Sequence, residues 1–190
     1  MNVHASKNLQ KSSIFDCISF VHRPEQMHYY VSIDNESNKS ETLVDILKLQ
    51  KKYTSIAVFC NTKSQTENIY NCLRDNKFSV GVINYKSSPE EMVDLETKFI
   101  SQKLDILVLN TPYSYCISVA MADLVINVNY VDPTSYSYRA GRGSKVARKK
   151  TCISLVVFSG KGIPPDIERI QNENCISIDA LTMKALNATY

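Results

Sequence analysis

The chain has 190 residues, the length of one domain, and 44% of them are apolar and 22% charged, a balance that fits a packed core and excludes collagen-like, coiled-coil and disordered classes. A count of 22 Lys and Arg against 19 Asp and Glu gives a net charge of +3, too small to name a nucleic-acid partner by itself. Only 5 glycines are present, so material for glycine-rich phosphate loops is scarce.

Residues 1–24 are polar and irregular and read as an N-terminal extension. Met27–Ile33 is rich in β-formers. Asn38 with Glu41 three residues on predicts a capped helix carrying Leu43, Ile46 and Leu47 at helical spacing. Ile56–Cys60 is a short apolar strand, and Thr62 with Gln65 predicts a capping box for a helix to Asp75 that buries Ile69 and Leu73. Ser79–Asn84 is a further strand. The clearest helix start follows, with Ser88 as N-cap, Pro89 at the first helical position and Glu91 at the third; Met92, Leu95 and Phe99 share its inner face. Ile106–Leu109 and Leu124–Val128 are strands, Thr134–Arg139 a short helix and Cys152–Phe158 a strand. Pro164 and Pro165 open a helix through Ile170, and Cys175–Ile178 closes the order as a last short strand.

The strands are continuous apolar runs, so both of their faces are covered, and their alternation with helices predicts an α/β domain with a mostly parallel sheet of six or seven strands and helices on both faces. Ile56–Cys60 and Ile106–Leu109 are its central strands. Ligands of such sheets bind at the carboxyl ends of the strands, which selects the loops after Cys60, Asn84, Leu109 and Val128.

Much chemistry is excluded. No G-x-x-x-x-G-K-[ST] and no G-x-G-x-x-G occur. All three histidines lie in the first 28 residues, and none of the six cysteines forms a C-x-x-C pair, so neither a histidine-based catalytic site nor a metal site is expected. The N-terminus lacks an apolar signal core, and no apolar stretch approaches the ~18 residues of a membrane span, which leads to the expectation of a reduced, intracellular protein without a membrane partner. Residues 139–150 read RAGRGSKVARKK, six cations without an anion; elsewhere carboxylates outnumber cations. Such a run is either a solvated face or an anion-binding patch.

The ordered set of segments resembles the C-terminal RecA-like domain of DEAD-box RNA helicases, nearest to the translation-initiation and mRNA-export members. Ile56–Thr62 (IAVFCNT) is similar to that family's motif IV. Asn76–Val108 runs in register with the stretch leading to motif V, and Leu124–Arg142 is similar to the strand, turn and H-R-x-G-R of motif VI, with one residue fewer. The resemblance implies a RecA-like domain over residues 25–181, a tail over 182–190, and a cytoplasmic or nuclear location. The departures are substantial. The family's H-G-D is Asn84-Tyr85-Lys86 here, its Q-x-x-R is Pro89-x-x-Met92, and its motif V reads Asn110 to Ser118 without the family's Arg, Gly and final Asp. Its motif VI, H-R-x-G-R-x-x-R, runs from Tyr138 to Lys145.

By resemblance, Arg142 and Lys145 are the arginine-finger-like positions, and Arg139, Arg142 and Lys145 the nucleotide or phosphate contacts. Lys145 keeps a point charge without the guanidinium fork. Asn61, Thr62, Asn110, Thr111, Arg148, Lys149 and Lys150 are the candidates for RNA. Alternatives stay open: Arg139 and Arg142 as structural ion-pair members, Thr62 as an N-cap, and Tyr113, Tyr115, Tyr136 and Tyr138 as either base-stacking or space-filling rings. ATP and Mg²⁺ are expected only together with a first RecA-like domain, which supplies the P-loop and the D-E-A-D carboxylates. The expectations are therefore a diverged, stand-alone helicase C-terminal domain that binds RNA weakly and does not hydrolyse ATP alone, a module docking a helical-repeat translation or mRNA-decay scaffold, or half of a split helicase.

Overall fold

Alternate residues of the apolar strands face opposite ways, and the tertiary structure uses both sets. A computed structural model of the chain describes residues 26–50, 53–110, 122–141 and 150–182. The strands are β1 (Gln26–Ile33), β2 (Ile56–Cys60), β3 (Val80–Ile83), β4 (Ile106–Asn110), β5 (Leu124–Asn127), β6 (Lys150–Val157) and β7 (Asp179–Ala180). They form one seven-stranded sheet in the order β3-β4-β2-β5-β6-β1-β7, with every pairing parallel. The helices are α1 (Lys39–Leu49, preceded by a 3-10 turn at Glu36–Asn38), α2 (Lys63–Asp75), α3 (Pro89–Ile100), α4 (Pro133–Gly141) and α5 (Pro165–Asn174).

In β2, Ala57 and Phe59 join a core shared with Phe99 of α3, Tyr136 of α4 and Ile167 of α5. Ile56, Val58 and Cys60 join a second core with Leu43 and Leu47 of α1 and Ile69 and Leu73 of α2. β4 splits in the same way. Both strands are interior and fully buried, as their unbroken apolar character requires. Each fully buried large side chain contributes ~1.5–3 kcal/mol, so the two cores carry the fold. Gly81 lets Leu95 of α3 and Leu104 pack close against β3: a Cβ there would lie 2.8 Å from both side chains.

The caps sort by chemistry. Ser88 and Glu91 form the full reciprocal box of α3, at 3.2 and 2.9 Å, behind Pro89. Thr62 accepts from the Gln65 amide at 3.3 Å, but the return half is missing, and Gln65 Oε1 is buried without a hydrogen-bond partner. Asn38 makes no side-chain cap: the 3-10 turn before α1 already places it in helical backbone. The last strand also differs from expectation. α5 continues past Ile170 to Asn174 and stops at Cys175, which takes left-handed backbone (φ 53°), so β7 falls at Asp179–Ala180 and not at Cys175–Ile178. Asn174 ties α5 to α4 by donating to the Pro133 carbonyl at 3.1 Å and accepting from Ser137 Oγ. The expected extension at 1–24 lies outside the described residues, as does the tail beyond Thr182.

Candidate nucleic-acid interface

Because all strands run parallel, their carboxyl ends lie along one edge, and a row of amides and hydroxyls collects there. Asn61 and Thr62 follow β2, Asn110 ends β4, and Asn127 ends β5 with Asn129 two residues beyond. Asn61 is exposed and fixed: its amide N–H donates to Asn129 Oδ1 at 3.1 Å and its Nδ2 to the Tyr130 carbonyl at 2.7 Å. Thr62 spends its hydroxyl on capping α2, and its carbonyl accepts from Thr66 Oγ1 at 2.8 Å. Asn110 is buried and donates to Thr66 Oγ1 at 3.4 Å.

Arg139 anchors this edge from below. It is 3% exposed. Its guanidinium donates to Asn127 Oδ1 at 3.0 Å and to Asn61 Oδ1 at 3.4 Å, and sits over the Phe59 ring at 4.9 Å from the centroid. A weakly hydrated, planar cation with a fork of donors suits such a site better than an ammonium would. The polar seam continues inward. Asn127 Nδ2 contacts Cys152 Sγ at 3.5 Å, and the fully buried Tyr136 bonds His28 Nδ1 at 2.8 Å. Burial pushes the Cys60 thiol up to about 12 and the Cys152 thiol up to about 11, which makes both inert core side chains. Asp132 accepts from the Ser135 amide at 3.0 Å at the start of α4, and hydrogen bonds from Ser135 hold its carboxyl below the usual range.

Of the residues selected from sequence, the fold therefore brings Asn61, Thr62, Asn110 and Arg139 to one edge, with Arg139 turned inward onto Asn127. Lys150 does not join them. It opens β6, so it lies at the amino edge of the sheet, 6% exposed, on the opposite side from the carboxyl ends. Tyr136 is a core ring and not a surface stacking platform. Thr111, Tyr113, Tyr115, Arg142, Lys145, Arg148 and Lys149 lie outside the described residues. Sequence reasoning missed Asn127 and Asn129, although two amides bracketing an apolar strand end are a visible anomaly in LVINVN.

Residues 38–147 match the family described as the helicase conserved C-terminal domain. The chain belongs to this family. As a helicase C-terminal domain it is 29% identical, over 153 residues, to an ATP-dependent RNA helicase eIF4A from Lodderomyces elongisporus; the match covers 80% of this chain and 38% of that protein. Its fold superimposes on the C-terminal domain of the DEAD-box protein Dbp5 with a TM-score of 0.77 at 19% identity, over 87% of this chain and 97% of the other. A DEAD box protein from Methanococcus jannaschii superimposes with a TM-score of 0.71 at 28% identity, over 83% of this chain and 42% of that one. The helicase C-terminal domain thus spans little more than a third of the length of the curated relative, and it is the C-terminal RecA-like domain of the DEAD-box type. No helix among the described residues is long and apolar enough to cross a membrane.

Proposed function

We propose that the chain is the RNA-holding half of a DEAD-box helicase module, binding single-stranded RNA weakly through its phosphates and turning over no ATP by itself. The carrying observation is the carboxyl edge of the parallel sheet, where the exposed Asn61 is held by the buried Arg139, with Thr62 following it, in a RecA-like fold whose relative bears the name of an ATP-dependent RNA helicase. Donors fixed to a rigid sheet position a backbone without reading its sequence. The retained cations of the 139–150 run outside the described residues, Arg142, Lys145, Arg148 and Lys149, supply the charge in this reading. Arg142 and Lys145 are then the groups offered to the phosphates of an ATP carried by a first RecA-like domain, whether joined to this chain or separate. Among the described residues no three His, Cys, Asp or Glu side chains gather as a metal site. The sequence has no P-loop, and phosphoryl transfer needs phosphate cradle, metal and fingers together.

Titration of a labelled single-stranded RNA, followed by fluorescence anisotropy at increasing salt, tests the proposal. Three or four engaged cations give a slope of log K against log salt of roughly −2 to −3. Binding indifferent to salt, or Mg²⁺-dependent ATP turnover by the purified chain that disappears in Arg142→Ala, would contradict it.

A further inference from the structure

The loop after β3, which carries Asn84-Tyr85-Lys86 where the family has H-G-D, holds an exposed ring close to two ammonium groups. Tyr85 is 41% exposed. Lys63, the first residue of α2, places its Nζ 3.9 Å from the ring centroid, and Lys86 places its own 5.3 Å away. The presentation is rigid. Asn84 Oδ1 accepts from the Lys86 amide at 2.8 Å, the Asn84 amide donates to Ser87 Oγ at 3.1 Å, and the Ser87 amide donates to the Asn84 carbonyl at 3.1 Å, which closes the turn with Tyr85 at its tip. Glu67 holds Lys86 at 3.0 Å and keeps it protonated, whereas Lys63 enters no ion pair among the described residues.

We infer that Tyr85 is a stacking platform for one base of a single-stranded RNA, with Lys63 and Lys86 receiving the phosphates on either side of that base. The inference rests on the RNA reading above and goes beyond it, since that reading uses backbone contacts alone. Three features carry it. A turn closed by three hydrogen bonds fixes the backbone that presents Tyr85, which lowers the entropy lost on stacking. Exposed ammonium–ring contacts are weak enough to exchange for a base on the ring and a phosphate on the ammonium. Lys63 also follows Thr62 directly, so the platform continues the amide row along the same edge. Glu67 offsets part of the charge of Lys86, so Lys63 carries the larger share of the phosphate attraction.

The chain contains no tryptophan, so Tyr85→Trp introduces a single indole at the platform. Titration with an oligouridine, and with an abasic phosphodiester strand of equal length, reads stacking directly. The expected result is quenching by the oligouridine and little by the abasic strand. In anisotropy the protein prefers the base-bearing strand by about tenfold. Tyr85→Ala abolishes that preference without changing the salt slope, Tyr85→Phe retains it, and Lys63→Ala flattens the slope by about 0.7. Salt-dependent RNA binding with an unresponsive Tyr85→Trp, or with equal quenching by both strands, overturns the platform while leaving the backbone reading intact. No binding of either strand removes both.

Discussion

Arg139 and Lys150 begin and end the same basic run, yet the fold sends them to opposite edges of the sheet and treats their charges in opposite ways. Arg139 is buried at the carboxyl edge and its charge is met by Asn127, Asn61 and the Phe59 ring. Lys150 is buried at the amino edge, within the attraction of Asp123 and next in sequence to Thr151, which bonds Tyr53 at 2.6 Å. Burial there pushes the Lys150 ammonium down to about 8, with the attraction of Asp123 offsetting only part of that push. The two ends of a continuous charge run in sequence therefore do not share a surface. One end is a structural pin whose charge is used, and the other is a strand residue whose charge is a burden.

That contrast breaks most sharply at Asn127. Asn127→Leu keeps the branched shape at a larger volume and removes an acceptor 3.0 Å from a buried guanidinium, and the expected cost is ~3 kcal/mol in urea denaturation. A loss under ~1 kcal/mol would mean that Asn127 is not what holds Arg139. At the other edge the sign reverses. Lys150→Met removes an ammonium from a buried strand position and stabilises the fold at neutral pH by on the order of 1–2 kcal/mol. The pH dependence follows from linkage. The folded-state pKa of about 8 lies below the ~10.4 of an unfolded lysine, so between these values the unfolded chain binds more protons and wild-type stability rises with pH. Below pH ~8 the full penalty is present. The advantage of Lys150→Met should therefore be constant below that pH and vanish as pH approaches ~10.4. An advantage that grows with pH would reverse the assignment. The smallest effect lies in the seam between the two edges. Tyr136→Phe removes the hydroxyl bonded to His28 and should cost ~1 kcal/mol, leaving RNA affinity unchanged.

The sheet was legible because its strands are apolar on both faces, and Ser88-Pro89-x-Glu91 was legible because its cap is purely local. Other elements are decided by tertiary context. The 3-10 turn pre-empts the Asn38 cap, and Cys175 absorbs a left-handed backbone that no local propensity announces. At the candidate site, FCNT pointed to the loop at the carboxyl end of β2. Which of its residues remain available could not be read, because Thr62 has two uses open to its hydroxyl and the fold spends it on α2. Asn127 and Asn61, to which Arg139 donates, lie 12 and 78 residues away from it, beyond any spacing rule. The Tyr85 platform stood in sequence only as a departure from a family motif, since Lys63 reaches its ring from a different helix.

The split of the basic run is tested most directly by the salt dependence of RNA binding in two variants. Arg148→Ala with Lys149→Ala should flatten the slope of log K against log salt by about 1.4, at ~0.7 for each phosphate that is no longer neutralised. Lys150→Met should leave the slope and the affinity at their wild-type values. Equal flattening by Lys150→Met would contradict the account, for it would place Lys150 on the RNA surface despite its position at the amino edge.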